Sequence, residues 1–237
     1  MRMRVLVTRP QEDAAQTAAL LAAHGHRALL APLLATRWSD GPPLDLAGVA
    51  AILATSANGV RALVRRISFN PLQRRVFDIP VFAVGPQTMQ EARAAGFARV
   101  ENAAGDAKAL AAAVPRWLAP EAGALLHACG EDGSGRLAQD LSAAGYDVRR
   151  QALYAVEALP LPPQAAQALR DGTVDAALFF SPRSAGVFLD QAEDLPLETV
   201  TAFCISPATA AVLPAHRFKA VAVAPAPNQD ALLALLG

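Results

Sequence analysis

Six short segments of the chain combine hydroxyl, amide and glycine residues in the manner of strand-to-helix turns. They are Thr8-Arg9-Pro10, Thr55-Ser56-Ala57-Asn58, Gly85-Pro86-Gln87-Thr88, Gly130-Glu131-Asp132-Gly133, Ser181-Pro182-Arg183-Ser184 and Ser206-Pro207-Ala208-Thr209. Ser, Thr and Gly at a helix start leave backbone N–H groups open and add hydroxyl donors, which suits carboxylates and other anions. The same residue types cap helices in any protein, so one such turn says little. Six of one style indicate a cleft for an acidic ligand. Tyr154 adds a different chemistry, and it is one of only two tyrosines. It either faces a cleft between domains and donates its phenolic proton to a leaving group, or packs with its hydroxyl in water.

Sharper chemistries fail on spacing. The stretch Gly130–Gly135 is glycine-rich but lacks the Gly-Lys-Ser/Thr ending of a nucleotide loop and the dinucleotide spacing. His24, His26, His127 and His216 show no ligand spacing with the acidic residues or with Cys129 and Cys204, so no metal is expected. Cys129 reads as an inert buried thiol. Glu131 and Asp132 are adjacent and are expected to be solvated rather than paired for acid–base work.

The elements that must position these turns follow from periodicity. Short apolar runs alternate with alanine- and leucine-rich helical stretches. Strands are expected at Val5–Thr8, Arg27–Leu34, and near Ala51–Ala54, Val81–Val84, Ala124–His127, Val148–Tyr154, Ala176–Phe180, Ala202–Ile205 and Ala220–Val223. Helices are expected at Asp13–Ala23, capped by Gly25, and over Asp106–Trp117, stopped near Pro115 and Pro120. Near-continuous apolar strands alternating with helices define parallel sheets covered on both faces, the α/β class.

The sequence also repeats itself. Val81–Phe97 lies over Ala202–Phe218 at an offset of 121, with Pro86 on Pro207, Thr88 on Thr209 and Phe97 on Phe218. Ala54–Val60 pairs with Phe180–Ala185, setting Ser56 on Ser181. The stretch from Val5 overlies the one from Leu125 at an offset of 120, with Gly25 on Gly145. A duplicated α/β unit results. The proline clusters at Ser39–Pro43 and Pro160–Pro163 favour extended chain. They favour an interleaved pairing: a first domain of residues 1–35 plus 158–237, a second of 39–153, and linkers near 35–39 and 153–158.

Composition narrows the partners. The 237 residues carry 21 Lys+Arg and 21 Asp+Glu, so 21 − 21 leaves no net charge, which argues against nucleic acid or a membrane surface. With 53% hydrophobic and 18% charged residues, there is apolar material for two cores. Two cysteines supply neither a disulfide framework nor a four-ligand zinc site. The opening segment, Met1 to Pro10, is too briefly apolar for a signal peptide, and a soluble, cytoplasmic protein is expected.

Taken in order, the segments VLVTRP, ATSANGV, VFAVGPQT with EARAAGF, GYDVRRQALYAVE, FFSPRSA, ISPATA and PNQDALLALL resemble the uroporphyrinogen-III synthase family over nearly the whole chain. The resemblance implies two flavodoxin-like domains joined by a two-stranded linker, and a cofactor-free, monomeric enzyme of tetrapyrrole biosynthesis. It implies the substrate hydroxymethylbilane, which loses its terminal hydroxyl as water and closes with the last pyrrole inverted, through a spiro intermediate. Carried over by motif, Tyr154 assists departure of the hydroxyl, and Thr88, Ser181 and Thr209 bind carboxylates or orient the substrate. Thr8, Arg9, Ser56, Gly85, Gly130 and Ser184 belong to the same rim. Ser206 departs from the glycine usual before Pro-x-Thr, which puts the role of Thr209 in doubt. Two other classes remain in view: a two-lobed binding protein for small polycarboxylates without catalysis, and a flavodoxin-like nucleotide or flavin carrier, for which the 5% of aromatic residues gives little stacking surface.

Overall fold

A computed structural model describes residues 2–68, 71–133 and 135–237; Met1 of the opening segment and Ser134 of the Gly130–Gly135 stretch lie outside the described residues. The strands are β1 (Arg4–Val7), β2 (Arg27–Leu30), β3 (Leu34–Trp38), β4 (Val49–Ala54), β5 (Val81–Ala83), β6 (Val100–Asn102), β7 (Ala124–Gly130), β8 (Val148–Ala158), β9 (Ala176–Phe179), β10 (Thr201–Cys204) and β11 (Ala220–Val223). The helices are α1 (Gln11–Ala23), α2 (Ala57–Ser68), α3 (Pro86–Ala94), α4 (Ala107–Trp117), α5 (Arg136–Ala143), α6 (Pro163–Arg170), α7 (Pro182–Gln191), α8 (Pro207–Ala210) and α9 (Gln229–Leu233).

The chain divides into two compact units, Met1–Ala35 with Glu157–Gly237 and Thr36–Val156. Unit 1 holds a five-stranded sheet in the order β11-β10-β9-β1-β2, parallel throughout. From its first strand in the chain this is the 2-1-3-4-5 order of flavodoxin-like sheets. The other sheet runs β3-β8-β7-β4-β5-β6, with β8-β7-β4-β5-β6 parallel. Beginning at β7 instead of β4, those five strands give the same 2-1-3-4-5 order. Unit 2 is therefore a circular permutation of unit 1.

The strand cores explain the class. Val5, Leu6 and Val7 are fully buried, as are Ala51 to Ala54 and Ala176 to Phe179. A strand apolar on both faces must be sandwiched by helices, and each large side chain so buried contributes about 1.5–3 kcal/mol of transfer free energy. In unit 1 one face packs Phe179 against Phe188 and Phe218, with ring centroids 5.2 and 6.5 Å from Phe179.

Several expectations are corrected. The strand expected over Arg27–Leu34 is two strands: β2 ends at Leu30, and β3 starts at Leu34 in the other sheet. β3 runs beside β8 in the opposite direction, since the Ser39 N–H bonds the Leu153 carbonyl at 2.9 Å and the Leu159 N–H bonds the Leu33 carbonyl at 2.8 Å. β6 has no counterpart among the expected strands because Val-Glu-Asn, an exposed glutamate between two half-buried residues, carries no apolar run to read. The helix expected over Asp106–Trp117 is α4, which ends at Trp117 between Pro115 and Pro120, with Pro115 in its last turn and the Leu118 N–H reaching the Val114 carbonyl. A proline there costs one backbone bond near the helix end, where carbonyls already lack partners. The segments matched by the repeat differ in helix length: α3 has nine residues and α8 four. Pro214 disfavours helical backbone at Leu213 and has no N–H to continue the ladder.

Candidate active site

Tyr154 lies on β8 opposite Gly130 of β7, where the register slips between Cys129 and Gly130. A Cβ at position 130 would stand 3.1 Å from the ring, so glycine there is what lets the strand end close on Tyr154. The ring of Trp38 lies tilted beside that of Tyr154, centroid to centroid 6.5 Å. Only 8% of Tyr154 is exposed, and its Oη stands 2.8 Å from Ser56 Oγ. Ser56 Oγ also accepts the Gly59 N–H at 3.0 Å, capping the first turn of α2. In place of a hydroxyl free in water, Tyr154 has one paired with Ser56 in a partly buried contact. Two hydroxyls sharing one hydrogen bond keep a second proton to donate outward.

Burial pushes the Tyr154 phenol above its ordinary value, and Cys129 and Asp132 raise it further against the opposing effect of the Ser56 bond. The group is a neutral phenol at physiological pH, able to donate and unsuited to act as a base. One strand away, His127 is 5% exposed, with Nε2 3.4 Å from Thr55 Oγ1 and Nδ1 lacking a partner among the described residues. Desolvation, assisted by the Arg150 charge, lowers its pKa to about 4. It is a neutral imidazole. Among the described residues no group of three His, Cys, Asp or Glu is arranged to hold a metal ion.

The third turn of unit 2 offers donors of another kind. Gly85 begins α3 in extended backbone, φ −158°, and no side chain caps the helix. Thr88 is only 4% exposed, and no hydrogen bond ties its hydroxyl among the described residues. The turn thus keeps a hydroxyl and first-turn N–H groups for an anion.

Unit 1 arranges its candidates differently. Thr8 is fully buried and donates to the Leu178 carbonyl at 2.7 Å. Arg9 pairs with Asp13 at 3.2 Å, bonds Gln229 of α9 at 2.5 Å, and lies 4.3 Å over the Phe180 ring. Ser181 Oγ caps the Ser184 N–H at 3.1 Å and bonds Ser184 Oγ, whose proton goes to the Ser181 carbonyl. Ser206 Oγ accepts the Thr209 N–H at 3.3 Å and stands 3.0 Å from Thr209 Oγ1, with Thr209 fully buried. The hydroxyls of Thr8, Ser181 and Ser184 donate within unit 1, Arg9 bonds Asp13 and Gln229 there, and Thr209 shares one hydrogen bond with Ser206. The structure brings Tyr154, Ser56 and Gly130 together; it places Thr88 and Gly85 one strand over, at the end of β5.

The sequence reading missed the residues around this cluster. Glu131 is not simply solvated: its carboxylate accepts from Ser39 Oγ at 2.9 Å and from Arg37 at 3.3 Å. Gly59 was passed over, although a Cβ there would stand 2.7 Å from the Ala128 carbonyl oxygen. Its place opposite Ser184 in the internal repeat was the available signal.

Comparison with known proteins agrees with this architecture. The chain is similar to the structure of uroporphyrinogen-III synthetase from Helicobacter pylori, at 21% identity and TM-score 0.72, over 100% of this chain and 98% of that one. It is also similar to a mutant uroporphyrinogen III synthase from the extremely thermophilic bacterium Thermus thermophilus, at 20% identity and TM-score 0.63, over 99% and 97%. At such identities the likeness establishes the two-domain α/β fold. A comparison with curated proteins finds no match. The model of the family described as uroporphyrinogen-III synthase HemD matches residues 15–234, leaving only Thr8 and Arg9 of the candidate residues outside the matched span. Matched over nearly all its length, the chain belongs to the uroporphyrinogen-III synthase family.

Proposed function

We propose that this chain acts as a cyclising hydro-lyase, converting hydroxymethylbilane to uroporphyrinogen III in tetrapyrrole biosynthesis. The Tyr154–Ser56 hydroxyl pair carries the reading. The neutral phenol donates its proton as the C–O bond to the terminal hydroxyl breaks, and water leaves with both electrons of that bond. The resulting cationic methylene is attacked by the substituted carbon of the last pyrrole to give the spiro intermediate. That intermediate rearranges with the ring inverted, and one ring proton is lost to the Tyr154 phenolate left by the first step, restoring aromaticity and the neutral phenol. No strong base is required, and most of the acceleration comes from holding the linear substrate folded.

Substrate carboxylates fit the Gly85–Thr88 turn, where backbone N–H groups and the Thr88 hydroxyl are open, while Gly130 gives the substrate close approach to Tyr154. Thr8, Arg9, Ser181, Ser184 and Thr209 act by fixing the shapes of the unit 1 turns. The reading takes a small-molecule substrate with no cofactor, nucleic acid or membrane, and a monomer in the cytoplasm. No helix among the described residues is long and apolar enough to cross a membrane. Nothing favours the binding-only alternative. The test is incubation of the pure protein with freshly made hydroxymethylbilane: the type III isomer is expected, and the spontaneous type I isomer alone would refute catalysis.

A further inference from the structure

The backbone on either side of the Tyr154 ring is held by one closed circuit. The Ser39 N–H donates to the Leu153 carbonyl at 2.9 Å, and the Glu131 N–H donates to the Tyr154 carbonyl at 2.8 Å. The Glu131 carboxylate then accepts from Ser39 Oγ at 2.9 Å, joining the two partners of the tyrosine strand to each other. Arg66 fixes the far side of Ser39, donating to the Ser39 carbonyl and to the Pro42 carbonyl. Gly41 leaves room for that arginine, since a Cβ there would stand 2.7 Å from its Nη1. Trp38, the residue before Ser39, rests on the Tyr154 ring.

We propose that Glu131 is a positioning residue for the reaction, locking the β7 end and the Trp38–Ser39 segment around Tyr154 so that its hydroxyl stays on Ser56. This rests on the assignment of Tyr154 as proton donor. The bond to Ser39 carries the effect. The Arg37 pair is half exposed on both sides, 52% and 43%, and adds little in water. A loosened circuit lets the ring of Tyr154 turn away from Ser56, which alters the proton transfer without removing any group that binds substrate. A group acting only through Tyr154 matters only while the Tyr154 hydroxyl is present, and groups acting as one unit are non-additive.

The experiment is a double-mutant cycle in steady-state kinetics on the full chain with hydroxymethylbilane. Glu131→Ala is expected to lower kcat by about three- to ten-fold with KM within about two-fold, the range of coupling between residues in one hydrogen-bond network. Glu131→Gln keeps an acceptor for Ser39 and is expected to retain most of kcat. Ser39→Ala reproduces the loss from the other end of the same bond. In a Tyr154→Phe background, Glu131→Ala is expected to change kcat by less than about two-fold. Unchanged kcat in Glu131→Ala, or equal losses with and without the Tyr154 hydroxyl, overturns the proposal while leaving the tyrosine assignment standing. Unchanged kcat in Tyr154→Phe overturns that assignment, and with it the route by which Glu131 acts. Circular dichroism melts of each variant separate unfolding from misplacement. Should Glu131→Ala fail to fold, the Ser39→Ala pair of measurements decides the same question.

Discussion

Where unit 2 has Gly59, unit 1 has Ser184, and that exchange decides what the preceding serine does. Ser181 caps α7 and gives its proton to Ser184 Oγ, closing a ring of hydroxyls inside unit 1. Ser56 caps α2 in the same way, but opposite it Gly59 offers no hydroxyl, so its Oγ meets Tyr154 instead. The next turn repeats the contrast. Ser206 spends its oxygen on Thr209, and Gly85 leaves Thr88 unengaged. The internal alignment also sets Val7 against His127 and Leu34 against Tyr154. Two copies of one sheet order have diverged by small exchanges at the strand ends. At these turns one copy pairs its hydroxyls with each other, and in the other they meet Tyr154 or stay unengaged.

The largest difference between the copies should appear on acidification. His127 stays neutral in the fold down to about pH 4, whereas in the unfolded chain it takes a proton near 6.5. Unfolding therefore takes up a proton between those values, and stability present above pH 6.5 is lost as pH falls, by up to about 3 kcal/mol over the window. His127→Val, which installs the residue of unit 1, should remove that slope in urea unfolding measured from pH 7 to 4. An unaltered slope would mean His127 is not what makes the copies differ in acid.

Tyr154→Phe tests the chemical half of the contrast. A ten-fold or greater loss of kcat is expected, at least about 1.4 kcal/mol of transition-state stabilisation. The paired variants Thr88→Val and Thr209→Val come next. Thr88→Val should raise KM by about five-fold, the worth of one hydrogen bond near 1 kcal/mol, with little change in melting temperature. Thr209→Val should do the reverse, costing about 1 kcal/mol of stability at constant KM, because it leaves Ser206 with a broken bond. Equal effects on KM would abolish the distinction between the turns. The smallest expected effect is in Gly85→Ser, which writes the unit 1 turn into unit 2. Its Cβ would come no nearer than 3.9 Å to the Gly105 carbonyl oxygen. A new cap should add a few tenths of a kcal/mol while KM rises.

How much of this was legible depends on range. Apolar runs such as Val5–Val7 and Ala176–Phe179 identified the strands because burial on both faces leaves a continuous signal. The repeat gave the duplication, and Pro86 above Pro207 set the two Pro-x-Thr turns against each other. The occupancy of each hydroxyl was not legible. Whether Ser56 bonds Tyr154, 98 residues away, depends on packing that only Gly59 and Gly130 permit, and no local pattern records it. Arg9 shows the same range effect. Its partners include Gln229, 220 residues on, which no local pattern records.

The permuted order of the two sheets also sets a schedule for synthesis. Every strand of unit 2 has emerged once the chain has passed Ala158, and its parallel pairings span at most the distance from β4 to β8. Unit 1 has β1 and β2 from the outset but cannot extend its sheet until β9, which pairs with β1 some 171 residues after Arg4, and completes it only with β11. Closing so long a loop is entropically slow, and unpaired strand edges invite association with other chains while they wait. The half that carries Tyr154 can thus be finished first, and the burden of misfolding falls on the other half.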